Sequence, residues 1–168
     1  MTYLIWLLRI IHIVSGVFWV GGTLFMTFFI GPTIGATGEA GQKFVGHLMN
    51  NLKLSNRMSA AAGMSILAGF ILYGLDARAG ASWLRSSFAI GLGIGALFAI
   101  LGLVFGIMVG RTTKAMAQLG AQMQGKPSSA QITQMQSVQK QQATYSRMAA
   151  ISLILATIFM AIARYLGS

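Results

Sequence analysis

The chain contains no cysteine, which excludes disulfides, thiolate metal sites, iron–sulfur clusters and covalently attached c-type haem. Negative charge is almost as scarce: Glu39 and Asp76 are the only two acidic residues, and both fall in polar stretches between apolar runs. That scarcity removes paired-carboxylate catalysis and argues against a proton relay through buried acids. There are two prolines and two histidines in 168 residues. No Ser-His-Asp set, phosphate-cradling glycine loop or internal repeat is present, so none of these motifs points to an enzyme.

What is present is hydrocarbon. The composition is 55% hydrophobic and the mean hydropathy is +0.71, too apolar for a soluble globule of this size. A membrane-crossing helix needs about 20 predominantly apolar residues. Four segments meet that length, at about residues 3–30, 57–75, 86–110 and 147–166. The first has no positively charged start and is about twice as long as the apolar part of a secretory signal, so it reads as a retained span. Its end is expected at Gly31-Pro32, because proline breaks the helical ladder. The fold class expected is all-α, a single four-helix transmembrane bundle.

The formal net charge of +10 would suggest nucleic acid as a partner in a soluble protein. Here topology explains it better. Lys43, Lys53, Arg57, Arg111, Lys114, Lys126, Lys140 and Arg147 fall between spans 1 and 2 or between spans 3 and 4. Arg9, Arg78, Arg85 and Arg164 belong to the other side. Positive residues collect on the cytoplasmic face, which predicts a bacterial inner-membrane protein with both termini outside. Tyr3, Trp6, Tyr73, Trp83 and Tyr165 would form the outer aromatic belt.

Residues 111–146 are polar and rich in Gln, Ala and Met, and they predict a cytoplasmic helical hairpin that extends helices 3 and 4. Gly125-Lys126-Pro127 would break it, and Ser128 with Gln131 would form a capping box on the returning helix. Ile132, Met135 and Val138 are spaced to pack against Met116, Leu119 and Met123. Residues 39–53 predict an interfacial helix, with Phe44, Val45, Leu48, Met49 and Leu52 opposite Lys43, His47, Asn50 and Asn51. In the third span, Gly91, Gly95, Ala99, Gly102, Gly106 and Gly110 step three or four residues at a time, a stripe on which another helix can pack closely.

The conspicuous break in the hydrocarbon is "RIIHIVSGVFWVGG", residues 9–22. On a helix, Arg9, His12, Ser15, Gly16, Trp19, Gly22, Thr23 and Met26 share one face, and ionisable groups at membrane depth turn to the bundle interior. Two readings of His12 stand side by side: a hydrogen bond to a serine or carbonyl across helices, or ligation of haem or a metal. Met160, at a similar depth, is a candidate second ligand, with Met64 somewhat deeper. Arg9 and Arg164 are placed to meet haem propionates or lipid headgroups. His12 and His47 belong to opposite membrane faces and cannot clamp one haem.

"HIVSGVFWVGG" resembles the first-helix signature of small bacterial membrane proteins that include the copper-resistance D proteins and the HemJ-type protoporphyrinogen oxidases, through His12, Trp19 and Gly22. Over nearly its whole length, including "MAIARYL", the chain resembles an uncharacterised four-helix bacterial family placed beside copper-resistance D. The resemblance implies that His12 corresponds to a haem-ligating histidine and that b-type haem is the cofactor. "TLFMTFFIGPTI" replaces the strongly marked HemJ segment after the tryptophan, and no buried lysine matches that family's second functional position. Protoporphyrinogen oxidation is therefore not expected. The expectation is a component of a membrane redox system, with haem b or copper bound at His12 for electron transfer or cofactor handling. The alternative is an accessory subunit without cofactor, bracing a larger respiratory or photosynthetic complex. In either case the partners are the lipid bilayer and other membrane subunits, not nucleic acid.

Overall fold

A computed structural model describes residues 2–123 and 127–166, and among them there are helices and no strands. The chain runs as α1 (Thr2–Phe25), a π-helical segment (Met26–Ile30), α2 (Gly31–Thr37), α3 (Glu39–Asn50), α4 (Leu54–Ala77), α5 (Ala81–Leu84), α6 (Ser87–Gln122) and α7 (Ser129–Ile162), then a 3-10 turn (Ala163–Tyr165). Four helical stretches are long and apolar enough to cross a membrane, at Thr2–Thr37, Leu54–Ala77, Ser87–Gln122 and Ser129–Tyr165. They agree with a multi-pass membrane protein.

The first span does not stop at Gly31-Pro32, contrary to the sequence expectation. The Gly31 amide donates to the Met26 carbonyl, five residues back, and the widened turn passes into α2 with Pro32 in its first turn. A proline has no N–H to place there, and the π segment relieves the clash its ring would cause. The continuous helix ends instead at Gly38, where φ is +55° and the chain reverses into α3. Gly41 lets α3 cross α2 closely, since a Cβ there would stand 2.7 Å from Ile34 Cα. α3 ends at Asn50, before Lys53, which takes a left-handed conformation to start α4. Val45, Leu48 and Met49 are partly buried and His47 is exposed, while Phe44 and Leu52 remain largely uncovered.

Two antiparallel helix pairs make the bundle: α1 with α4, and α6 with α7. In the first, Gly16 rests against Ser65 and Gly22 against Met58. In the second, Gly91 meets Ala163, Gly95 meets Ala156 and Met160, and Gly102 receives Leu153. Farther along, Gln142 Nε2 donates to Thr113 Oγ1 at 2.9 Å, so the α6–α7 pairing carries on past the apolar part of both helices.

A series of buried or partly buried positions along this pair has a seven-residue rhythm, with the buried Ala89, Ala150 and Leu153 lying beside it. On α6 the series is Gly91, Gly95, Phe98, Gly102, Phe105, Val109, Thr112, Met116 and Leu119; on α7, Gln131, Met135, Val138, Gln142, Tyr145, Ala149, Ser152, Ala156, Phe159 and Ala163. Alternating steps of four and three define a coiled-coil seam. Phe98 and Phe159 stack across it with ring centroids 5.8 Å apart. The expected break at Gly125-Lys126-Pro127 lies, apart from Pro127, outside the described residues. Ser128 caps α7 as the sequence predicts: its Oγ accepts from Gln131 N at 3.3 Å, and Gln131 Oε1 accepts from Ser128 N at 2.9 Å. Ile132, expected on the seam, is instead 45% exposed.

The two pairs join at a small core of Trp19, Ala61, Ala62 and Leu153, with Val20, Met58, Ile66 and Leu103 packed around it. Trp19 is the only large aromatic side chain among the buried hydrophobic residues described, and the alanines of α4 make room for it.

Candidate functional site

His12 sits at the middle of α1, with its ring against α4. Its Nδ1 lies 2.7 Å from the Ser65 carbonyl oxygen. A carbonyl can only accept, so Nδ1 carries the proton and donates. Ser65 returns the contact, its hydroxyl donating to the His12 carbonyl at 3.1 Å. Gly69, one turn farther along α4, leaves the space in which the imidazole lies: a Cβ there would stand 2.8 Å from His12 Cε1 and 3.0 Å from Nδ1. Ring position and tautomer are thus set by α4 backbone on one side and by a missing side chain on the other.

With Nδ1 engaged, the neutral ring presents Nε2 as a bare lone pair, and Nε2 makes no hydrogen bond among the described residues. An Nδ1–H held by a carbonyl is the arrangement that orients ligating histidines, because the bond fixes the ring and makes the distal nitrogen a better donor to a metal. It is also a complete interhelical hydrogen bond in its own right.

Around His12, the expected inward face of α1 forms in large part. Ser15 and Trp19 are buried; Gly16, Gly22, Thr23 and Met26 are partly buried. The Ser15 hydroxyl turns back to the Ile11 carbonyl of its own helix. Arg9 departs from the expectation and is exposed. The inward positions next to it are Ile5 and Leu8, so the packed face leaves the Arg9 direction at the start of the helix, where the long cation reaches solvent or headgroups. Arg164, in the last turn, is exposed as well.

Met160 belongs to a different helix pair. Trp19 shares a core with Leu153, and Thr27 Oγ1 donates to the Ser146 carbonyl at 3.4 Å, so the antiparallel register of α1 and α7 sets Met160 level with His12. Its Cγ, however, would lie 2.8 Å from a Cβ on Gly95, which makes the methionine stem part of the α6–α7 seam. Met64 is 51% exposed. His47 is exposed on α3, beyond the far end of α1, about 25 Å from His12 by helix rise. No group of three His, Asp or Glu side chains able to hold a metal exists among the described residues.

Comparison with protein families, with curated proteins and with solved structures gives no match. The chemistry of the site is therefore read from its geometry alone: one oriented imidazole, one thioether at matching depth, and two exposed guanidinium groups toward the same end.

Of the glycines expected to serve helix packing, Gly91, Gly95 and Gly102 are buried under α7. Gly106 and Gly110 lie off the seam, exposed and with nothing within 4 Å of the position a Cβ would take. The sequence reading missed Ser65 and Gly69. Their signal was faint: a serine and a glycine four residues apart in an α4 full of small residues, with the partner surface on another helix.

Proposed function

We propose that the protein is a component of a membrane redox system in which His12 ligates b-type haem, or copper, through Nε2. The observation that supports this reading is the 2.7 Å bond from Nδ1 to the Ser65 carbonyl, which holds the ring and leaves Nε2 without a partner among the described residues. The donor set suits an axial haem ligand better than copper, because a copper site draws on three or more ligands and only Met160 stands level with His12. Haem, when bound, supplies one-electron transfer. The chain's own contribution is to fix the imidazole with Ser65 and Gly69, and to offer Arg9 and Arg164 to carboxylates at the membrane surface. The resemblance of "HIVSGVFWVGG" to copper-resistance D and HemJ-type helices points the same way. The protein would lie in a bacterial inner membrane, with its termini outside and the α6–α7 hairpin in the cytoplasm.

The test is an optical spectrum of the purified full chain. A reduced b-type band in the parent that vanishes in His12→Ala is the expected result. A second reading is favoured by the long α6–α7 pairing, which carries a polar stalk well beyond the apolar spans: an accessory subunit bracing other membrane proteins. A colourless, metal-free preparation that copurifies stoichiometrically with other subunits would replace the first reading with the second.

A further inference from the structure

We propose that the hairpin-side end of the bundle carries a cationic collar that selectively retains anionic phospholipids. This goes beyond the redox reading and does not depend on a cofactor at His12. It rests on where six cations fall once the helix registers are known.

Thr27 of the π segment bonds to the Ser146 carbonyl of α7, which makes those two residues level. On α4, Gly22 faces Met58, so the antiparallel register brings Lys53 to the height of Thr27. On α6, Thr113 bonds to Gln142, so Val109 comes to the height of Ser146. Lys53 and Arg147 thus lie at this plane, Arg57 about 6 Å to the apolar side, and Arg111, Lys114 and Lys140 about 3–9 Å to the polar side. All six residues are exposed. The plane is also where the apolar runs of α6 and α7 end in the sequence, at Gly110 and Met148, which is the height of the lipid headgroups for a spanning bundle.

Among the described residues no acidic side chain meets them. Glu39, the only acid on this side, pairs with Lys43 at 2.7 Å. Asp76 lies at the C-terminal end of α4, a whole span away. Beside Lys140 lies a shallow surface recess of about 270 Å³ lined also by Gln141 and Tyr145. Both helix pairs contribute, through α4, α6 and α7, so the charge is not confined to one helix. Anionic headgroups arranged around a membrane protein match that distribution better than a single acidic partner does. Each surface cation favours an anionic lipid by roughly fivefold at moderate salt.

The experiment uses the full chain in a mild non-ionic detergent with equimolar phosphatidylglycerol and phosphatidylcholine, and counts retained lipids by native mass spectrometry. At least fivefold enrichment of phosphatidylglycerol is expected, decreasing at 500 mM salt as exposed charges are screened. The sextuple variant Lys53→Gln, Arg57→Gln, Arg111→Gln, Lys114→Gln, Lys140→Gln, Arg147→Gln should bring enrichment to within about twofold of unity, with circular dichroism confirming retained helicity. The double variant Arg78→Gln, Arg85→Gln, at the other end, should retain the parent's preference. Equal retention of the two lipids, or loss of preference in the second variant and not the first, overturns the proposal. So does displacement of bound phosphatidylglycerol by a stoichiometric acidic peptide, which would assign the collar to a protein partner.

Discussion

Gly69, Gly102 and Gly106 look interchangeable in sequence, yet each is expected to respond differently to a side chain. At Gly69, Val would occupy the volume of the imidazole and expel His12 from the Ser65 carbonyl. In a haem-loaded preparation, Gly69→Val should therefore weaken or shift the b-type band nearly as strongly as His12→Ala, although it removes no ligand. Ser65→Ala is the informative contrast, because the carbonyl that holds Nδ1 is backbone and survives. That variant loses only the hydroxyl bond to the His12 carbonyl, costing about 1 kcal/mol of stability and leaving the spectrum in place. Equal spectra for the parent and Gly69→Val would mean that α4 does not position the ring.

Among elements, the α6–α7 pair has the sharpest internal contrast. Gly102→Leu should destabilise it by about 1–3 kcal/mol, because Leu153 already fills the space over that glycine and the seam has no slack. Gly106→Leu should be neutral or stabilising by a few tenths of a kcal/mol, since it faces open space and trades a poor helix former for a good one. Thermal unfolding in detergent would distinguish them; a larger loss at Gly106 would refute the seam. The glycine spacing alone could not show this. From Gly102 onward a step of four leads to Gly106, while the supercoiled pair steps by three to Phe105, then by four to Val109. Which step is taken depends on the partner's path, and no single helix encodes that path. The π segment teaches the same lesson. Proline after glycine reads as a stop, and it becomes a continuation because the chain widens one turn instead of breaking.

For the whole molecule, cohesion between the two helix pairs depends on Trp19. Trp19→Ala should cost about 3 kcal/mol through the cavity left among Ala61, Ala62 and Leu153. The pairs themselves should hold, so the variant is expected to unfold in two steps where the parent unfolds in one. A single transition with an unchanged midpoint would show that the pairs cohere elsewhere. Orientation is a separate question of the same scale. A cysteine at Ser128 should react with an impermeant thiol reagent only from the cytoplasmic side, and reaction from outside would invert the topology read from the Lys and Arg distribution.

Sequence by itself determined the number of apolar helices, the absence of acid and thiol chemistry, the Ser128 cap and the continuation of two spans into a polar pair. Those features follow from local composition and periodicity, which each segment carries alone. It also singled out His12 as an inward imidazole. Only the tertiary structure decided what that imidazole faces, which glycines are covered, and how six scattered cations fall into one band at one end of the bundle. Each of those depends on the register between helices far apart in the chain. Register is set by how side chains from two helices interdigitate, and no property of one helix contains it.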